Sequence, residues 1–442
     1  MADPVEIVHA LYGGFFEKGV RYFFPQARLE LKDALAEPQP ALTIYNCPDG
    51  GLELYWMNRR YRLAVPGRAF TEHQLRLLGA IGGVLSARYR SIFFAVSAAA
   101  SSSMFEGLAE DRYVSAFLDH FPYLDENAVP TGRDVLADAI EVLRQSSLIT
   151  YENRRISTGV LLLGARHRQR GRAAVPDGAL PYTSDLISIK SFHRLCDGLK
   201  TVFLVDPEGR LVDLVDVAEW SREHGGAPLP VPSPSRYRAH SRATLEDGSI
   251  CLVLTPNGEI KVFAEGAQVF SFLEGRWHLT DASEKYREWQ VAVGNDALAG
   301  LLFSAGLNLA EHRRGGLFLV LDDPARAAEL VAPEDLLENG HTTPGKARIH
   351  YLLRGKRVLD LEPSLIESIA RMDGAIVLDR DSTLRAFGAI LHPAACGTAE
   401  VRGTEGGRTT AAVHASSLGN VLKVSEDGVV SCYRNGAEVW AI

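Results

Sequence analysis

Two short runs of small residues in the last third of the chain have the types and spacing to do chemistry. The first, Gly406-Gly407-Arg408-Thr409-Thr410-Ala411-Ala412, is a glycine pair opening a helix. Backbone N–H groups and the positive end of the helix dipole favour an anion there, Arg408 can fork onto phosphate oxygens, and the Thr409 and Thr410 hydroxyls add donors. The same run also reads as an ordinary loop before a helix. The second is Asp373-Gly374-Ala375. Asp-Gly occurs six times in the chain, and most copies sit between polar residues as plain turns. This copy follows a helical segment and leads into Ala375-Ile376-Val377-Leu378, which puts a carboxylate at the mouth of a strand beside two residues small enough for a ligand to approach. A divalent ion held by such a carboxylate could neutralise a phosphate and prepare an in-line displacement. A structural turn is the alternative.

Other familiar chemistry is missing from the 442 residues: no G-x-x-x-x-G-K-[ST], no G-x-G-x-x-G after a strand, no H-E-x-x-H and no G-x-S-x-G. The five cysteines, Cys47, Cys196, Cys251, Cys396 and Cys432, form no C-x-x-C pair and have no histidine at metal-ligand spacing. They read as small buried hydrophobes. The dense basic run Arg166–Arg172 reads as a solvated loop at a domain boundary or as an anion-binding patch. A formal charge of −8 argues against nucleic acid as a general partner. The N-terminus carries acid where a signal peptide needs base, and no apolar run approaches the ~20 residues of a membrane span. A cytoplasmic protein without membrane contact is the expectation.

The elements that must position these residues follow from periodicity. Residues 1–175 read as an α/β region. Hairpin chemistry lies around Asp49-Gly50-Gly51, a capping box Thr71-x-x-Gln74 precedes an apolar helical stripe, and an unbroken apolar run ends at Leu163. Residues 176–283 read as a β-rich middle region, split by Pro228, Pro230, Pro232 and Pro234, which favour an extended connector. A weak echo between Gly258–Gly266 and Gly419–Gly428 is explained by two hairpins of similar build, without duplication. Residues 284–442 interleave helices and strands, so the expected fold is α/β: a C-terminal mixed β-sheet flanked by helices, preceded by an α/β sensor-like domain and the β-rich region.

Together these residues resemble the diadenylate cyclase family. That family shows, in order, a helix ending in Gly-Ala-Leu plus a strand, an Asp-Gly-Ala opening a strand, a Gly-x-Arg-His-Arg-x-Ala opening a helix, and a Val-Ser-Glu near a final hairpin. Here the series reads Gly315-Gly316-Leu317, Asp373-Gly374-Ala375, Gly406-Gly407-Arg408-Thr409-Thr410-Ala411-Ala412 and Val424-Ser425-Glu426. The resemblance covers Glu284 to Ile442 and looks like the soluble branch with an N-terminal sensor-like region. It implies a nucleotidyltransferase that condenses two ATP into cyclic di-AMP or a related cyclic dinucleotide with release of pyrophosphate. The cofactor would be Mg2+ or Mn2+, and the assembly a face-to-face homodimer or higher homo-oligomer.

By the same resemblance Asp373, Gly374 and Ala375 form the catalytic motif, and Asp373 and Glu426 hold the metal. Arg408, Thr409 and Thr410 hold phosphates, Leu317 lines the adenine pocket, and Ser425 and Glu426 stand on the phosphate and metal side. The family's Arg-His-Arg is Arg408-Thr409-Thr410 here, and its histidine before Asp-Gly-Ala is Met372. Each lost charged contact costs about 1.5–3 kcal/mol of phosphate binding. The alternative is a nucleotide-binding sensor that keeps the fold with weak or no turnover.

Overall fold

The computed structural model describes residues 4–65, 69–93, 105, 107–122, 133–151, 153–164, 175–189, 191–337, 347–392 and 406–442. The Arg166–Arg172 run and Cys396 lie outside them. The architecture is mixed α/β, in two compact units: Met1–Pro228 with Ala239–Asp281, and Leu229–Arg238 with Ala282–Ile442. No helix among the described residues is long and apolar enough to cross a membrane.

The N-terminal unit opens with α1 (Pro4–Phe23) and a long hairpin, β1 (Arg28–Asn46) and β2 (Leu52–Ala64). Phe16 of α1 packs 5.1 Å from the ring of Trp56 on β2, and both are fully buried. α2 (Glu72–Phe93) starts at the capping box: the Gln74 amide donates to Thr71 Oγ1 (3.2 Å) and the Thr71 amide to Gln74 Oε1 (3.1 Å). α3 (Ala109–Phe117) and α4 (Val135–Ser147) follow, then the small hairpin β3 (Thr150–Tyr151) and β4 (Arg154–Arg155).

The unit's main sheet has seven strands: β5 (Thr158–Leu162), β6 (Thr201–Val205), β7 (Leu211–Asp216), β8 (Ile250–Leu254), β9 (Ile260–Ala264), β10 (Ala267–Leu273) and β11 (Arg276–Leu279), with α5 (Val217–His224) after β7. Their order is β11-β10-β9-β8-β5-β6-β7, with β5 and β6 parallel and every other neighbour antiparallel. β5 comes from the expected first region and the rest from the expected middle one. The middle region is therefore not a body of its own; its strands complete a sheet begun at Thr158.

The C-terminal unit takes the proline-rich segment Leu229–Arg238 as well as the last third of the chain. The Ser235 amide in that segment donates to Asn308 Oδ1 at 2.7 Å. α6 (Ala282–Val293) and α7 (Asp296–Glu311) lead into β12 (Gly316–Leu321). α8 (Pro363–Ala370), β13 (Ala375–Asp379), β14 (Leu384–Ala389), α9 (Gly407–Ala415), β15 (Gly419–Val424), β16 (Val430–Arg434) and β17 (Ala437–Ala441) follow. The six-stranded sheet runs β14-β13-β12-β15-β16-β17, with β12 and β13 parallel and the rest antiparallel.

Central strands covered on both sides need unbroken apolar runs, and β12 and β13 are buried at every position. Leu317, Leu319 and Leu321 face a layer that includes Ala412 and Ala415 of α9. Leu422, Val424 and Val430 lie against the Gly306 position of α7. Cys196, Cys251 and Cys432 are buried and Cys47 is partly buried; none is in a disulfide, and burial pushes the Cys432 thiol up to about 12.

Candidate functional site

Strand register brings the separate motifs to one end of the six-stranded sheet. Gly316 pairs with Val424 and Leu317 with Lys423, while Phe318 stands level with Ile376 on the parallel neighbour. The starts of β12 and β13 and the end of β15 therefore lie side by side. α9 adds its N-terminus: a Cβ on Gly315 would overlap the Arg408 guanidinium, so that glycine leaves room for the arginine to cross the start of β12. Arg408 Nη1 is 2.9 Å from Glu426 Oε1, and both side chains are well exposed. Such an exposed pair is worth only about 0–1 kcal/mol, so a phosphate can take the place of Glu426 at little cost.

Thr409 and Thr410 lie in the first turn of α9, which no side chain among the described residues caps. Lys423 Nζ donates to Thr409 Oγ1 (3.1 Å) and to the Tyr433 hydroxyl (3.1 Å), and that hydroxyl donates to Glu438 Oε2 (2.9 Å). Lys423 is thus a second cation beside the helix N-terminus. Sequence reading missed it because it stands inside the apolar run Val421–Val424, where nothing in the local pattern marks a functional position.

Asp373 is exposed and makes no side-chain hydrogen bond or ion pair with another described residue. Gly374 is fixed by the backbone: its φ is +104°, and a Cβ there would come within 2.6 Å of both the amide nitrogen and the carbonyl oxygen of Ala389. Ala375 is buried as the first residue of β13. Leu317, expected to line a base pocket, is 3 % exposed and packs with Ala412 and Val421 in the layer under α9. It is a core residue as placed. Ser425 closes the hairpin between β15 and β16: its amide donates to Val429 O (2.9 Å), and its hydroxyl accepts from the Val429 amide (3.2 Å).

Asp373 stands just before β13 and Glu426 just after β15, the strands on either side of β12, and Glu426 is engaged by Arg408. Among the described residues no three of His, Cys, Asp and Glu are grouped to hold an ion by themselves. One exposed carboxylate does suit Mg2+ or Mn2+ held jointly with a ligand's phosphates, since Mg2+ habitually takes one or two carboxylates and fills its shell with phosphate and water oxygens.

No family model matches the sequence, and no curated protein matches it. Among solved structures, a hypothetical membrane spanning protein from Bacillus cereus is similar at 21% identity, with 34% of this chain and 64% of that chain covered and a TM-score of 0.25. This chain therefore spans less than two thirds of that one. DacA from Staphylococcus aureus is similar at 16% identity, with 34% of this chain and 87% of that chain covered and a TM-score of 0.22.

Proposed function

We propose that the C-terminal unit is a diadenylate cyclase-like nucleotidyltransferase that joins two ATP molecules into cyclic di-AMP or a close relative. One observation carries this reading: four motifs spread over residues 315–426 meet at one end of one sheet, with two cations, an exposed carboxylate and a helix N-terminus among them. Arg408 would leave Glu426 for phosphate oxygens, with Lys423 and the Thr409 and Thr410 hydroxyls holding the rest of the chain of phosphates. A divalent cation bound with Asp373 would supply charge neutralisation at the reacting phosphate.

In the reaction the 3′-hydroxyl oxygen of one nucleotide bonds to the α-phosphorus of the other, the bond to the bridging oxygen breaks, and pyrophosphate leaves. Asp373, exposed and without a side-chain hydrogen bond to another described residue, would take the hydroxyl proton. Because each unit holds one nucleotide, two copies of the chain must meet face to face. Purified protein with ATP and Mg2+ or Mn2+ should release pyrophosphate and a cyclic dinucleotide, and Asp373→Asn should abolish both while leaving stability within about 0.5 kcal/mol, as for exposed substitutions generally. Equal inertness of both proteins with every nucleotide and both metals would sink the reading.

A second reading, binding without turnover, is favoured by the Thr409 and Thr410 positions, where the resemblance expects an imidazole and a guanidinium. It requires Arg408-dependent ATP binding by calorimetry with no product.

A further inference from the structure

The two large sheets are built alike. In each, a parallel pair stands beside an antiparallel meander: β5 pairs in parallel with β6, which pairs with β7, while β5's other edge meets β8, then β9 and β10. β12 does the same with β13, β14, β15, β16 and β17, in the same chain order. From β6 through β5, β8 and β9 to β10 the registers coincide with those of β13, β12, β15, β16 and β17, while β13–β14 has a further shift at Ala375. Val160 pairs with Leu252 and Phe203 as Phe318 pairs with Leu422 and Ile376. Phe263 pairs with Gln268 and Val262 with Phe270, across the same bulge that separates Tyr433–Glu438 from Cys432–Trp440.

The matching segments align without a gap, identical at Leu252 and Leu422, Gly258 and Gly428, Gly266 and Gly436, Ala267 and Ala437, and Val269 and Val439. Their turns share left-handed backbone at Gly258 and Gly428, Glu265 and Asn435, and Gly266 and Gly436. Two unrelated hairpins would not share a bulge position and five connected pairings as well, so the fold repeats, with Gly258 level with Gly428 rather than with Gly419 as the sequence echo had it.

The register also reports what the copies do not share. Lys423 corresponds to Val253, Tyr433 to Phe263, Glu438 to Gln268 and Glu426 to Pro256; Asp373 falls level with Lys200. Val253 and Phe263 are fully buried in the first copy. The same strand positions therefore pack well with apolar residues. A half-buried ammonium, the buried tyrosine and the exposed glutamate that restrain it are not needed to build this sheet, and removing the ammonium and the phenol from water costs desolvation.

We infer that the chain contains one fold twice, and that Lys423, Tyr433 and Glu438 are a binding device for a polyphosphate anion that only the second copy carries. Lys423 meets the anion beside Thr409, while Tyr433 and Glu438 are positioning residues that aim the ammonium. This rests on the proposed nucleotide site and assigns it three further residues.

The test converts the second copy into the first at these positions, with Lys423→Val, Tyr433→Phe and Glu438→Gln in one full-length protein. Its thermal midpoint should equal or exceed that of wild type, and its ATP affinity by calorimetry in the presence of Mg2+ should fall about tenfold or more. Lys423→Arg alone should retain most of the binding, which a merely structural role would not require. A lower thermal midpoint or misfolding in the triple variant would overturn the equivalence of the two copies. An intact fold with wild-type ATP affinity would overturn the binding role. Wild-type protein that binds no nucleotide at all would sink both the proposed function and this anion role, while the stability arm still decides the repeat.

Discussion

Gly374 is held at φ +104° with the Ala389 backbone 2.6 Å from where its Cβ would stand, so the Asp-Gly of the carboxylate motif answers to two demands. The aspartate faces solvent and is free to vary without unfolding the chain; the glycine is required by the crossing of β13 and β14. Gly374→Ala should destabilise the C-terminal unit by roughly 2–4 kcal/mol, from backbone strain plus overpacking, read as a lower urea midpoint. If Gly374→Ala and Asp373→Asn are equally benign, the close approach is wrong. Residue types alone left Asp373 and Arg408 open between chemistry and an ordinary turn or loop, and it was the order of four motifs along the chain that singled them out. Lys423 was invisible for the opposite reason: its meaning comes from Thr409 and Tyr433, which only the folded sheet brings to it.

Most elements of the C-terminal unit were legible because their apolar spacing and their Gly turns agree, as at Asp427-Gly428 and Asn435-Gly436 in the final meander. α1 was not, since Gly13-Gly14 inside it lowers helix propensity. Packing overrides that cost: a Cβ at Gly13 would come 2.9 Å from the Tyr61 hydroxyl, so the glycine lets the helix lie close on β2. The short helix Arg238–Ala243 carries His240, fully buried, whose Nε2 donates to the Gly198 carbonyl at 2.8 Å.

Burial pushes the His240 pKa down from 6.5 to about 4. Between those values the unfolded chain binds a proton that the folded unit refuses, so stability is full above about pH 6.5 and declines as pH falls towards 4, by roughly 3 kcal/mol. His240→Gln should flatten this acid limb in urea midpoints measured across pH. His73 has the opposite sign: its hydrogen bond to Asp281 (2.7 Å) raises its pKa, so its contribution is present below pH 6.5 and fades as pH rises through the folded value. His73→Gln should flatten only that upper limb, and an unchanged acid limb in His240→Gln would show the buried imidazole to be charged.

At the scale of the whole chain the sequence suggested three regions, and the fold has two units because the β-rich middle hydrogen-bonds to β5, a pairing over long sequence separation that local patterns do not encode. The repeat hid for a related reason: its copies share strand register and turn conformation far more than residue identity. If each C-terminal unit contributes one nucleotide to a shared reaction, rate per chain should rise with protein concentration until dimers dominate. Mixing Asp373→Asn chains into wild type should then depress product more than dilution does. Loss only in proportion to the wild-type fraction, where mixed dimers are demonstrably present, would mean that each chain works alone.

The membership of Leu229–Arg238 in the C-terminal unit, with the Ser235 amide on Asn308, bears on how such a protein can be inherited. A gene segment beginning at the codon for Ala282 encodes that unit without a stretch it folds around, because the first copy's last strands intervene. A single breakpoint before Ala282 therefore separates the unit from Leu229–Arg238 and from the hydrogen bond that Ser235 makes to Asn308.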